Sequence, residues 1–278
     1  MARDAGVVTV RPGLKRALRR AFRRLVCALP IFLLMAGPAP GEGLLDGVDL
    51  ASPAMTEAEL TRAEVEAMLA RGERDLSGRR LNGLDLSRLD LSGAVLRRAA
   101  LNKAKLKGTR LAEAVLDQAW LLDADLSGAV LIEASLFASQ MRGASLVGAD
   151  LSGARVTADL TRADLTGARA VGADFSADMR NQSMGLMRGV LTSARLDGAN
   201  FSGANLSRTD LSFASLKGAD FTDALLTAAD LSGANLSGAR VEGADFDRAN
   251  LASADLRGLE GEGRNWESAV NLGRAVRE

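Results

Sequence analysis

From Leu76 onward a large apolar residue returns every fifth position: Leu76, Leu81, Leu86, Leu91, Leu96 and so on to Leu151 and Val156, with Met141 the one non-aliphatic step. The same beat runs again from Leu186 through Leu191, Leu196, Phe201 and Leu206 to Leu251 and Leu256. A period of five fits neither common element. On a strand, residues five apart point to opposite faces. On an α-helix they fall about 140° out of phase. A chain that turns a corner of about 90° after every five residues does keep them together, each side of a square sending its central residue inward. Four sides make a turn of about 20 residues, and successive turns stack at strand spacing, ~4.8 Å.

The other positions of the unit agree. Two before the apolar residue stands Ala, small enough for a narrow interior; one before it, Asp or Asn is common; Ser, Thr, Gly and long polar residues follow and suit corners. Residues 20 apart share a column, so Phe201 and Phe221 are expected to stack, and Asp210, Asp230 and Asn250 to form an outer ladder whose repulsion solvent and nearby Arg208 and Arg248 can offset. No unit hides its leucine alone, so stability comes from neighbouring turns and the stack needs closed ends.

The units ADLSG, ANLSG, ADFTD and ANLAS, tandem copies of A(D/N)LXX, resemble those of the pentapeptide-repeat proteins. The resemblance covers residues 75–260 and implies an all-β solenoid, a right-handed quadrilateral β-helix. It also implies two precedents: some such proteins carry a functional loop, and some mimic B-DNA and bind DNA gyrase.

The flanks set the rest of the organisation. Residues 42–55 read as a linker. Thr56–Arg74 reads as an N-terminal capping helix, with a capping box at Thr56 and Glu59 and a stop at Gly72. Residues 261–278 read as a short C-terminal cap, with Trp266 over the last turn. Ahead of these, Arg11–Arg24 is basic, Leu25–Met35 is an apolar run holding Pro30, and Ala36–Gly43 is small and turn-prone. That three-part order is a signal peptide spanning 1–41, or an inner-membrane anchor at 25–36 if it stays uncleaved. Arg19–Arg20–Ala21–Phe22 is a weak match to a twin-arginine signal. A periplasmic or envelope address follows as an expectation.

Charge and composition narrow the function. The chain has 35 basic and 35 acidic residues; residues 1–41 hold eight and one of them, leaving 27 and 34, about −7, in 42–278. A nucleic-acid binder wants a basic folded part, so direct nucleic-acid binding is not expected. There is no His and no Tyr, and Cys27 is the single cysteine. A Ser–His–Asp triad and a His–Cys zinc site are thereby excluded. The expectation is a non-enzymatic structural or protein-interaction solenoid with no cofactor, no metal site, no small-molecule substrate and an unnamed protein partner, with a homodimer possible. The alternative is an acidic DNA-mimic rod for an enzyme such as gyrase.

Two irregular stretches are the candidate sites. The beat loses one residue between Val156 and Leu160, then gains one between Phe175 and Leu191. The stretch in between offers an interaction loop at Met179, Arg180, Asn181, Gln182, Met184 and Met187, or only a corner bulge. Earlier, Arg97, Arg98, Lys103, Lys105, Lys107 and Arg110 crowd a short span, followed by Val115, Trp120, Leu122, Val130, Ile132 and Phe137 at outward positions. Trp120, Leu122, Ile132 and Phe137 are expected to form an exposed apolar face, or one that the N-terminal helix covers.

Overall fold

In a computed structural model of the protein, residues 48–179 and 187–277 are described. The chain divides into two units, Met1–Asp49 and Leu50–Glu278, and the fold below is that of the second. Residues 1–41, with their signal-peptide or anchor reading, and the start of the linker lie outside the described residues.

The apolar residues do turn inward on four sides of a coil. Leu76, Leu81, Leu86 and Leu91 are fully buried, as are their counterparts in later turns, and Ala94, Ala99 and Ala104 fill the space beside them. Each side holds one rung per turn. Side one runs in parallel bridges from Asp75 through Val95, Val115, Ser135, Arg155, Asp174, Asn205, Leu225 and Asp245 to Arg264. Side two runs from Arg80 through Trp120, Gln140, Asp159 and Val190 to Val270, side three from Asp85 to Val276, and side four from Asp90 to Glu260. Two hydrogen bonds fix each rung: the Leu76 N–H donates to Val95 O at 2.8 Å, and the Val95 N–H to Arg74 O at 2.8 Å.

The acid before each leucine has a structural task. Its carboxylate or amide oxygen accepts the backbone N–H two residues on, as from Ser77 to Asp75 Oδ1 at 2.9 Å and from Ser202 to Asn200 Oδ1 at 2.9 Å. This Asx turn starts every such corner and explains the A(D/N)L signature without chemistry. Hydrogen bonds from Ser77 hold the Asp75 carboxyl below the usual carboxylate range, and those from Ser87 and Ser92 do the same for Asp85 and Asp90.

The column arithmetic holds in detail. Phe201 and Phe221 stack with centroids 5.5 Å apart and planes 8° from parallel. Asp210, Asp230 and Asn250 form consecutive rungs. Their charge is relieved differently from expectation: Arg188 pairs with Asp210 at 3.0 Å and the Asn250 amide donates to Asp230 at 3.0 Å, while Arg248 pairs with Asp247. A neutral rung and an arginine from the break stand where Arg208 and Arg248 were expected.

The N-terminal cap differs from the single helix expected over Thr56–Arg74. A short α1, Pro53–Thr56, is followed by extended chain and then α2, Arg62–Ala70. Thr56 and Glu59 do not form the capping box; Thr61 and Glu64, the same T-x-x-E pattern five residues later, do. The tertiary structure takes the first pair away. Ala58 bridges Leu81 antiparallel, the Glu59 N–H donates to Arg80 O at 2.9 Å, and the Glu59 carboxylate lies 3.4 Å from both Arg79 and Arg80. The stop is where the sequence puts it. Gly72 has φ 79°, with Gly72 N–H to Leu69 O and Glu73 N–H to Met68 O closing a Schellman motif. Val65 of α2 is buried, and Leu60, Met68 and Leu69 pack against the core of the first turn. At the other end, Trp266 stacks on Phe246 at 4.0 Å.

Candidate functional site

Both departures from the five-residue beat fall on one corner, between sides one and two, in successive turns. The first removes a residue. Val156 is inward on side one and Leu160 on side two, and the Ala158 N–H reaches back to Val156 O at 2.9 Å, a three-residue turn in place of the usual four. Thr157, normally an exposed corner residue, is buried, and its hydroxyl donates to Ser176 O at 3.2 Å in the turn above.

The second departure adds residues at that point of the next turn. Side-two rungs step from Asp159 directly to Val190, so Phe175 and Leu191 are inward residues of neighbouring sides. In regular corners the residue three on donates to the inward residue's carbonyl, as Ala173 does to Ala170 O at 3.2 Å. Here that donor is Gly189, to Phe175 O at 3.0 Å. Residues 178–188 are therefore inserted within one corner turn whose own hydrogen bond is kept. The described ends of this insertion meet in a stem closed by the Asp178 N–H donating to Met187 O at 2.7 Å.

The fit at the stem is close. Gly189 stands at the position of the small interior residue, and a Cβ there would lie 2.7 Å from Phe175 O. One turn above, Thr209 replaces the usual Ala, is fully buried, and donates its hydroxyl to the same Phe175 carbonyl at 3.1 Å. Each strand of the stem is also ion-paired to the coil: Asp178 to Arg155 of the turn below at 3.4 Å, and Arg188 to Asp210 of the turn above at 3.0 Å. The Arg155 guanidinium lies over the Phe137 ring, 4.3 Å from its centroid. Arg142 pairs with the buried Asp159 beside this corner.

Of the expected loop residues, Met179 is exposed and Met187 half-buried at the stem, while Arg180, Asn181, Gln182 and Met184 lie outside the described residues. The four residues of the expected apolar face do not share one side. Trp120 is a rung of side two, Phe137 and Leu122 stand at the corners before and after that side, and Ile132 follows the side-four residue Leu131, at the corner between sides four and one. Residues ten apart in sequence sit half a circumference apart, so Trp120 and Val130 face opposite ways. Nor does the N-terminal helix cover them: α2 closes the end of the coil, its Arg62 reaching Asp85 O and Ser87 O of the first turn. The basic cluster from Arg97 to Arg110 is likewise spread over all four sides as a collar. The sequence reasoning passed over Arg155, Asp178, Arg188, Gly189 and Thr209. Gly189 and Thr209, at a position that mostly holds Ala, were the readable signal; the ion pairs had none.

This coil is a quadrilateral β-helix of the right-handed kind. The profile of the pentapeptide repeats family matches in eight copies over residues 75–108, 109–146, 121–157, 158–177, 190–223 and 224–258, and the chain belongs to that family. The matched segments leave out 178–189, the loop and Gly189. Among solved structures, HetL, a pentapeptide repeat protein involved in heterocyst differentiation regulation from the cyanobacterium Nostoc, is 30% identical, with 78% of this chain and 94% of HetL covered and a TM-score of 0.39. Full-length QnrB1, a plasmid-mediated fluoroquinolone resistance protein, is 23% identical, with 68% and 91% covered and a TM-score of 0.42. A pentapeptide repeat protein from the Arabidopsis thaliana thylakoid lumen is 30% identical, with 49% and 70% covered and a TM-score of 0.19. No curated protein matches the chain.

Proposed function

We propose that this protein is a non-enzymatic interaction scaffold of the bacterial envelope that presents one loop from one corner of a stiff coil to a protein partner. The observation that carries this is the stem at Asp178–Gly189. An insertion that keeps the corner hydrogen bond and is ion-paired to the turns on both sides is a positioned projection, and loops on rigid scaffolds are where binding concentrates. The Asp and Asn ladders are committed to Asx turns, which accounts for their repetition without catalysis. Export rests on the leader, with its basic stretch Arg11–Arg24 and apolar run Leu25–Met35.

Two measurements test the reading. A periplasm-dependent reporter fused after residue 278, with cell fractionation, is expected to be active and to place the protein in the periplasm or inner membrane. Affinity purification of the tagged chain is expected to retain a partner that is lost when 178–188 are excised. A cytoplasmic, uncleaved product would favour the second reading, an acidic rod bound by a DNA-handling enzyme such as gyrase. The charge of about −7 over 42–278 is the observation on its side. The basic collar on the second turn is against it.

A further inference from the structure

Below the loop, the same corner carries a shallow groove of about 430 Å³ lined by Ser77, Gly78, Arg97, Arg98, Asp117, Gln118 and Phe137. These are the corner residues of four successive turns, so the groove runs along the coil for roughly three rungs of ~4.8 Å, about 14 Å. At ~3.3 Å per residue, that length takes about four residues of extended chain.

Its chemistry is uneven along this length. The upper end is the Phe137 ring, held by the Arg155 guanidinium. The middle carries two adjacent cations with most of their donors uncommitted. Arg97 is 60% exposed, and its Nε stays 3.9 Å from Asp117 Oδ2, beyond hydrogen-bonding distance. Arg98 uses only Nε, toward Gln118 Oε1 at 3.0 Å. Each nearby carboxylate has one oxygen engaged elsewhere. Asp117 Oδ1 accepts from the Ser135 hydroxyl and from the Phe137 N–H at 3.2 Å, and Asp75 Oδ1 accepts from the Ser77 N–H at 2.9 Å. Two guanidiniums beside an aromatic ring, one loosely ion-paired to Asp117 and the other held through its Nε alone, suit carboxylates set next to an apolar side chain.

We infer that this groove is a binding site for a short, extended acidic peptide segment of a partner protein, its carboxylates on Arg97 and Arg98 and an apolar side chain against Phe137. The inference rests on the reading of the coil as an interaction scaffold and names the chemistry of what that scaffold binds. It also makes the corner between sides one and two a single recognition edge, groove below and loop above.

The probe is a fluorescein-labelled peptide, Glu-Glu-Leu-Glu-Glu, followed by fluorescence anisotropy on the full chain at low ionic strength. Saturable binding is expected, with the Gln-Gln-Leu-Gln-Gln counterpart bound at least roughly tenfold more weakly. Arg97→Gln with Arg98→Gln is expected to weaken the acidic peptide by a similar factor, Phe137→Ala to weaken it less, and Arg208→Gln, on the same corner three turns beyond the last groove residue, to leave it unchanged. Circular dichroism melting confirms that each variant is folded. Equal binding of the two peptides, wild-type affinity in the double variant, or displacement by inorganic phosphate or a thymidine oligonucleotide at the peptide's own concentration overturns the site. Loss of the site with partner capture by the loop intact leaves the scaffold reading standing; loss of both removes it.

Discussion

The turns from Val190 to Leu256 and the two turns that meet at the break are built from the same inward residues and differ only at one corner. In the regular stretch each corner has the same length, the donor three residues on reaches the inward carbonyl, and Asp or Asn opens most of the turns. At the break one corner is a residue short and the next is longer by residues 178–188. Yet Leu160 and Leu191 are as fully buried on side two as Leu211 or Leu231. The difference teaches that the inward positions fix the coil and the corners are free to change length, provided the hydrogen bond across the corner survives. Fold and recognition are thereby carried by separate residues of one repeat.

That separation breaks first if an inward residue is touched. Phe201→Ala removes a ring between Phe175 and Phe221 and is expected to cost about 3–5 kcal/mol, read as a fall in denaturant midpoint. A loss under about 1 kcal/mol would mean that neighbouring turns collapse into the space.

Gly189→Ala comes next. Its methyl would press on Phe175 O at the loop's exit, with an expected cost of about 1–3 kcal/mol. The same substitution at Gly273, where no atom lies within 4 Å, is the control and is expected to leave the midpoint nearly unchanged.

Acid sharpens the comparison differently. Asp255 is drawn down to about 2 by the hydrogen bond from Arg257, and Asp75, Asp85 and Asp90 are lowered by their serines. Carboxyls with lowered folded values contribute stability that is present above their ordinary value of 3.8 and lost as pH falls through the folded one. The melting temperature is therefore expected to hold down to about pH 4 and then drop toward pH 2, with Asp255→Asn flattening the drop. A melting curve unchanged over that window would rule these carboxylates out as a source of the folded state's acid sensitivity.

The smallest expected effect is the most telling. Excising 178–188 joins Ala177 to Gly189 and leaves F-S-A-G-V-L, an ordinary five-residue step. Stability is expected to change by less than about 1 kcal/mol, since in the ion pairs described for the loop, Asp178 with Arg155 and Arg188 with Asp210, the arginines stay partly exposed. Partner capture is expected to be lost. A large destabilisation would show that the loop is part of the fold.

The period of five made the square coil legible before any coordinates, because burying one residue in five on a common interior admits few geometries. It also showed that the beat fails between Val156 and Leu191. What it left open was the kind of failure. A surplus of one residue modulo five does not say where the extra residues go; the rungs Asp159 to Val190 put all of 178–188 into one corner. Of the apolar face drawn from Trp120, Leu122, Ile132 and Phe137, Ile132 stands apart because closeness in sequence is not closeness on a coil that turns a corner every five residues. The capping box moved from Thr56 to Thr61 for a related reason: both pairs satisfy the local pattern, and only contact with Arg79 and Arg80 removed the first.

The sequence by itself determined the inward residues, the columns and the rung spacing, since these follow from periodic burial and hold wherever the period holds. Only the tertiary structure decided which corner carries both departures, which arginines brace the loop, and that Arg97, Arg98 and Phe137 meet in one groove. Those are pairings between turns some 20 residues apart, made by long side chains whose direction no local rule sets.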